Sequence, residues 1–395
     1  MARKLIAYEK RQKKGEAPAV REKSASYKND ADTVQKLLRY KRFEVQNFRC
    51  IKKLAISPLE QVNLIAGMNN VGKTTLLEAL FLHIGETNPE LALRVNNWRG
   101  LGPEIESPWR QLFWQFNDKS PIKLTATTML GKECSLTITT KLAESKVVEE
   151  ILPKKGTEFV KSSGVNIIFD YVNEDGKSRK VMGTPFLIGQ GNIVRFELRM
   201  SPPSLPTRVT GIFLNSGLKS VLDEDVNRFS QLRIKQRDKL LLDAMQLIEP
   251  RLERLEILSP QGTTLIYGYL KDYQEPVPMP LLGDGARRLA SLILAICTAQ
   301  GGVVLVDEIE NGIHHSILKG MWNAVAESAS LFNTQIFATT HSQECLVAAH
   351  EAFKERDQYR FRLHRLDRLN GEIAAATYDQ ESLEGALSIP LEVRG

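Results

Sequence analysis

Apolar positions change their period along this chain, and each period selects an element. From about Lys41, RFEVQNF and KKLAIS alternate apolar and polar residues, which predicts two short strands joined at a turn near Arg49. QVNLIAG is a continuous apolar, β-branched run stopped by glycine and predicts a buried strand. KTTLLEALFLHIG then repeats apolar residues at helical spacing up to Gly85. Strand, glycine-containing loop and helix thus follow one another without a break.

Between residues 120 and 200, PIKLTATTML, SLTITTKL, VNIIFDYV, DGKSRKVM and NIVRFELRM alternate with turn residues and predict a β-rich lobe. Residues 223–257 change to a helical period, interrupted near Pro250. Further on, LLGDGARRLASLILAI carries Leu289, Leu292, Ile293 and Ile296 at the spacing of one helix face. Two buried strands follow, VVLV at 303–306 and QIFA at 335–338. The segment after Glu351 is charged and selects no element. Residues 1 to about 30 lack any hydrophobic period and predict flexible chain, with residues 31–40 as a short helix leading in. These boundaries divide the chain into an extension (1–40), a first part (41–119), a β-rich insertion (120–222), a helical and β connection (223–279) and a second part (280–395).

Composition adds little to this until charge is followed along the chain. With 395 residues, 42% hydrophobic and 25% charged, the sequence is that of a soluble globular protein with a large core. The net charge of +6 is uneven: residues 1–42 hold thirteen Lys or Arg against five acids, a surplus of eight that leaves the remainder at −2. An extension of that kind can hold nucleic acid through phosphate contacts. The four cysteines are scattered, without zinc or disulfide spacing, and no apolar run is long enough to span a bilayer, so a cytoplasmic protein is expected.

The chemistry lies in three short stretches. GMNNVGKTT fits G-x-x-x-x-G-K-[ST] at Gly67, Gly72, Lys73 and Thr74, between a predicted strand and a predicted helix. There the glycines let backbone amides wrap a polyphosphate, with Asn69 and Asn70 suited to the turn and Thr75 next in the helix. Lys73 reaches the β and γ phosphates, and the Thr74 hydroxyl is placed to ligate Mg²⁺. VVLVDE delivers Asp307 and Glu308 at a strand end, the first to hold Mg²⁺ and the second to polarise the attacking water. ATTHS places His341 at another strand end, where an imidazole can sense a γ-phosphate. His314 and His315 lack a partnering acid or cysteine cluster, so no further metal site is read there.

The order NFRCIKKLAI, P-loop, LGDGARR, LVDEIENGIHH, ATTHS resembles the ABC-type ATPase heads of SMC-like and RecF-like proteins. More closely, it resembles the OLD-like AAA ATPases, including those of anti-phage systems such as Septu and PARIS. The resemblance covers residues 41–100 and 280–348. It implies an α/β P-loop NTPase, an ABC-type head whose β-rich lobe is inserted between Walker A and the signature loop. It also implies ATP and Mg²⁺ as cofactors and head dimerisation around ATP, as a homodimer or higher homo-oligomer. A separately encoded effector would be the partner gated by hydrolysis; a RecF-like DNA clamp and a scaffold with little turnover are the alternatives. Carried over, residues 282–288 are the signature loop, with Gly283, Gly285 and Arg287 facing phosphate, residues 310–314 are the D-loop, His341 is the switch, and Gln111 or Gln115 is the Q-loop glutamine. The signature departs from the family in holding Gly283, Asp284 and Gly285 where a serine and two glycines are usual. Asp284 is therefore expected to cap a helix beginning near Ala286, leaving amides and Arg287 or Arg288 for phosphate.

Overall fold

The computed structural model describes residues 40–101, 109–142, 159–162, 164–190, 193–215 and 222–388. Apart from Tyr40, the basic extension and its lead-in helix lie outside these residues.

Alternation builds the first sheet. β1 (Tyr40–Phe48) buries Tyr40, Phe43, Val45 and Phe48 and returns as β2 (Ile51–Ile56). β3 (Val62–Gly67), buried at every position, feeds the glycine loop and α1 (Lys73–Ile84), after which comes α2 (Glu90–Asn97). β4 (Ile122–Thr128) then pairs antiparallel with β1. β5 (Glu133–Leu142), β6 (Phe159–Ser162), β7 (Val165–Val172), β8 (Ser178–Gln190) and β9 (Ile193–Ser201) complete an eight-stranded antiparallel sheet. The β-rich stretch thus grows out of the β1–β2 hairpin.

β10 (Gly211–Leu214), too short to stand out in the sequence, precedes α3 (Leu222–Ile234) and α4 (Lys239–Met245). β11 (Leu252–Leu258), β12 (Leu265–Leu270) and β13 (Val277–Pro278) form a small antiparallel sheet. Residues 252–257 are therefore strand and not the end of a helical segment. A register shift between Leu252 and Arg254 brings Leu252 and Leu255 to one buried side, and this spacing of three imitates a helix.

The remaining elements are α5 (Asp284–Thr298), β14 (Val303–Val306), α6 (Leu318–Phe332), β15 (Gln335–Thr339), α7 (Gln343–Lys354), β16 (Phe361–Leu369), β17 (Glu372–Tyr378) and α8 (Gln380–Ser388). The second large sheet runs β10-β14-β15-β3-β16-β17. Its first five strands are parallel, and β17 is antiparallel at the edge. The charged segment after Glu351 thus supplies β16, a direct neighbour of β3.

Successive residues of the parallel strands enter two different cores. Ile65, Val303, Leu305 and Phe337 pack with α1 and the inner face of the antiparallel sheet. Leu64, Val304, Val306 and Ile336 pack with α5, α6 and α7. Helices on both faces of a parallel sheet, with a strand–glycine loop–helix unit in its middle, make this an α/β P-loop NTPase fold. The ends of β3, β14 and β15 meet on one edge of that sheet. Among the described residues no helix is long and apolar enough to cross a membrane.

Candidate functional site

The glycine loop takes its shape from close approaches. Gly67 has φ +142°, and a Cβ there would run into the backbone oxygen of Leu366 on β16. Gly72 has φ +91° and abuts Cys50 and Ile373; Asn70 takes φ +67°. Lys73 folds back under the loop and donates to the carbonyls of Gly67 (2.6 Å) and Met68 (2.8 Å). Burial pushes its ammonium down to about 8, against the opposing pull of Asp307, Glu308 and Glu310. A loop of this kind, with a buried cation beneath it, is arranged to receive phosphate.

Thr74 donates to the Asp307 carboxylate, with its hydroxyl 3.0 and 3.2 Å from the two oxygens. Thr339, at the end of β15, donates to Asp307 Oδ1 at 2.7 Å and accepts from the Glu308 amide at 2.8 Å. Two strand ends and the first turn of α1 thereby converge on one carboxylate. Glu308 has φ +49°, and its Oε1 lies 3.8 Å from His341 Nε2. The His341 amide donates to Glu310 Oε1 at 2.8 Å, while Glu310 Oε2 is buried without a hydrogen-bond partner among the described residues. Lys73, Thr74, Asp307, Glu308 and His341 are thus gathered in one place. The same place holds Glu310, which the sequence reading placed only at the edge of the D-loop.

Arg99, which carries no motif signal, reaches this loop by tertiary packing. Its Nη2 is 3.3 Å from Thr75 Oγ1, and its Nε is 2.8 Å from Glu78 on α1. Glu78 is fully buried and also pairs with Arg49 at 2.9 Å, so two guanidiniums flank one carboxylate behind the loop. Cys50 is exposed, and its Sγ is 3.6 Å from Thr75 Oγ1.

The signature segment departs from its sequence reading at Asp284, and its packing separates the two arginines that the reading left as alternatives. Helix α5 begins at Asp284 itself, with Gly283 (φ +99°) as its N-cap, and Asp284 makes no capping hydrogen bond. Its carboxylate is 84% exposed and pairs with Arg287 at 2.9 Å, one turn along the same helix. Gly283 with its positive φ has already turned the chain into the helix, so no side-chain cap is required. Arg288 turns inward and donates to the Asp307 carbonyl at 2.6 Å, which leaves Arg287 as the arginine at the open head of the helix. Gly285 packs on residues 310–314, where a Cβ would come within 2.5 Å of the Gly312 carbonyl oxygen.

The other candidates lie in plainer surroundings. Gln111 is half-buried in one 3₁₀ turn and Gln115 exposed in the next, at φ +52°. The His314 and His315 rings lie with centroids 4.1 Å apart, tilted by 38°, and His314 Nδ1 lies 2.9 Å from Ser316 Oγ. Among the described residues no cluster of three or more His, Cys, Asp or Glu could hold a metal. His83 and His364 are core residues, bonded to Tyr40 and Thr377, and burial pushes them down to about 4 and about 3.

Comparison with known proteins follows the same division of the site. Residues 40–178, which hold the glycine loop, match a family model described as "AAA ATPase domain". Residues 185–346, which hold the signature segment, Asp307, Glu308 and His341, match one described as "AAA domain, putative AbiEii toxin, Type IV TA system". An "ATP/GTP phosphatase" of Helicobacter pylori (strain ATCC 700392 / 26695) is 23% identical over 376 residues, covering 86% of this chain and 95% of its own length. Among solved structures, an SMC head bound to the C-winged helix domain of ScpA is similar at 13% identity and TM-score 0.47, over 89% of this chain and 100% of its own. An SMC head domain from Thermotoga maritima is similar at 14% identity and TM-score 0.40, over 87% of this chain and 100% of its own.

Proposed function

We propose that this protein binds and hydrolyses ATP as an ABC-type head, with two copies closing on two ATP molecules. The observation that carries the reading is the cluster where three parallel strands end: Asp307 held by Thr74 and Thr339, Lys73 beneath the loop, and Glu308 beside His341. The two AAA family matches and the phosphatase relative support it. In this reading residues 41–119 and 280–395 form most of the head; within 120–279, β10 lies in the head's own parallel sheet, and the antiparallel lobe is built onto it.

Each residue then has a task. Loop amides from Gly67 to Thr75 and the Lys73 ammonium hold the phosphates. The Thr74 hydroxyl and Asp307 carboxylate are hard oxygen donors of the type Mg²⁺ prefers, and the ion when bound would neutralise charge on the β and γ oxygens. Water attacks the γ-phosphorus as Glu308 accepts its proton; the bond to the β-phosphate oxygen breaks, releasing ADP and inorganic phosphate. His341 faces Glu308 and orients the γ-phosphate. Gly283, Gly285 and Arg287 at the head of α5 face the ATP of the second copy.

Glu308→Gln keeps the side chain's size and removes the base. Steady-state turnover should fall by roughly 10²- to 10⁴-fold, with ATP retained and a dimer persisting in light scattering. Unchanged turnover would remove Glu308 from the chemistry. A monomer with ATP bound would leave the ATPase standing and remove the sandwich.

Gating of a separately encoded effector in anti-phage defence deepens this reading. Its support is the resemblance to OLD-like ATPases, together with the family match whose description names a toxin–antitoxin system. One observation favours a second role, a DNA clamp of RecF type: the surplus of eight positive charges in residues 1–42. Duplex DNA binding that weakens steeply with salt, and is lost on deleting residues 1–39, is the expected result. No binding at low salt would discard it.

A further inference from the structure

The peptide joining Asp307 to Glu308 is gripped on both sides. Its carbonyl oxygen accepts from Arg288 Nη2 at 2.6 Å, and its N–H donates to Thr339 Oγ1 at 2.8 Å. Thr339 is itself fixed by donating to Asp307 Oδ1 at 2.7 Å. The next torsion is the left-handed φ of +49° at Glu308, a conformation that a glutamate keeps only where its surroundings enforce it. The direction of the Glu308 side chain is therefore set by the plane of this one peptide.

The grip from Arg288 is specific to a guanidinium. While Nη2 holds Asp307, Nη1 reaches the Asn215 carbonyl at 3.5 Å, just beyond β10. A single planar fork thus ties the ends of neighbouring strands β10 and β14 to the first turns of α5, which a lysine cannot do with one nitrogen. Its Nε is sealed from solvent; burial lowers the guanidinium's proton affinity, against the opposing pull of the Asp307, Glu308 and Glu310 carboxylates. The head of α5 also touches the chain beyond Glu308, where Gly285 lies against the Gly312 carbonyl. Helix α5 therefore contacts the chain on both sides of Glu308.

We infer that Arg288 is a positioning residue for hydrolysis: it fixes the Asp307–Glu308 peptide and so aims the Glu308 carboxylate, linking that aim to the signature helix. This rests on Glu308 being the general base. Arg288 is engaged by the backbone carbonyls of Asn215 and Asp307, and its effect runs through Glu308. Whatever seats against the head of α5 can then alter the aim of the base without entering its own nucleotide pocket.

Steady-state kinetics of Arg288→Met and Arg288→Lys, alone and combined with Glu308→Gln, test this. Arg288→Met should lower kcat by about 10²-fold, the cost of misplacing a reacting group by about an ångström, with KM for ATP within about twofold. Arg288→Lys, which keeps one donor for Asp307, should recover part of kcat. Added to Glu308→Gln, Arg288→Met should change the residual rate by less than about twofold, because the group it aims is already gone. If Arg288→Met does not fold, as judged by its melting curve, Arg288→Lys reports the same split of kcat from KM. An unchanged kcat, a rise in KM without loss of kcat, or a full loss added to that of Glu308→Gln would each overturn the inference. Wild-type turnover in Glu308→Gln alone would overturn the general-base reading, and with it this one, independently of any Arg288 variant.

Discussion

Lys73 links the shape of the loop to a measurable proton. Its ammonium sits in a buried position, satisfied by two carbonyls, and burial lowers it from 10.5 to about 8. A bound polyphosphate would restore the charged form. Between pH 8 and 10.5, nucleotide binding should therefore take up a proton, and affinity should fall as pH rises through about 8. For the free protein the sign of the stability effect is the reverse. Across that window the unfolded chain holds the proton and the folded one has released it, so stability rises with pH. Titration calorimetry at pH 8.5 in buffers of different ionisation heat reads the uptake directly, and Lys73→Met should show none. At this scale the sequence is informative wherever spacing alone sets the position, as for Asp307, Glu308 and His341 just after a strand and for Lys73 and Thr74 at the start of the helix that follows the glycine loop. It is silent on Arg99, which arrives from beyond α2, misleading on Asp284, and undecided between Arg287 and Arg288. Two neighbouring residues on a helix face different ways, and only packing decides which one turns inward.

Among the elements, β16 is the one whose importance is least visible in the chain. FRLHRLDRL interleaves arginines with its buried Phe361, Leu363, His364 and Leu366, so neither strict alternation nor an apolar run appears. In the fold it lies beside β3, and Leu366 sits directly against Gly67, where the glycine loop departs. Leu366→Ala should cost about 2–5 kcal/mol through the cavity it leaves. It should also weaken ATP binding, because the wall behind the loop loosens. Leu369→Ala, on the same strand but 61% exposed, should change neither. Denaturant midpoints and nucleotide titrations on the two variants make the comparison, and normal ATP affinity in a destabilised Leu366→Ala would show that β16 supports the fold but not the loop. The same limit on reading period hides β11, where a bulge gives a strand the spacing of a helix. The central elements, β3 with α1 and then β14 and β15, are legible because continuous apolar runs bounded by glycine or acid leave few other solutions.

For the molecule as a whole, the open question is what the exposed head of α5 meets. Asp284 contributes nothing to helix capping and is almost entirely solvent-exposed, so its loss should leave the fold of one copy within about 0.5 kcal/mol of the parent. Its carboxylate nevertheless holds Arg287 and places a negative charge at the positive end of a fifteen-residue helix. If that end faces the phosphates of a second copy, Asp284 opposes the approach and occupies the arginine that would assist it. Asp284→Asn should then tighten ATP-dependent dimerisation, most visibly in a Glu308→Gln background where ATP persists, and more so at low salt than at high. Nucleotide binding by the single copy should be unaltered, since Asp284 makes no contact with the glycine loop's lysine or threonines. Sedimentation velocity across protein concentrations separates the two effects. A dimer constant that does not move would place the contact between copies elsewhere, and weakened binding by the monomer would assign this loop to the nucleotide of its own chain.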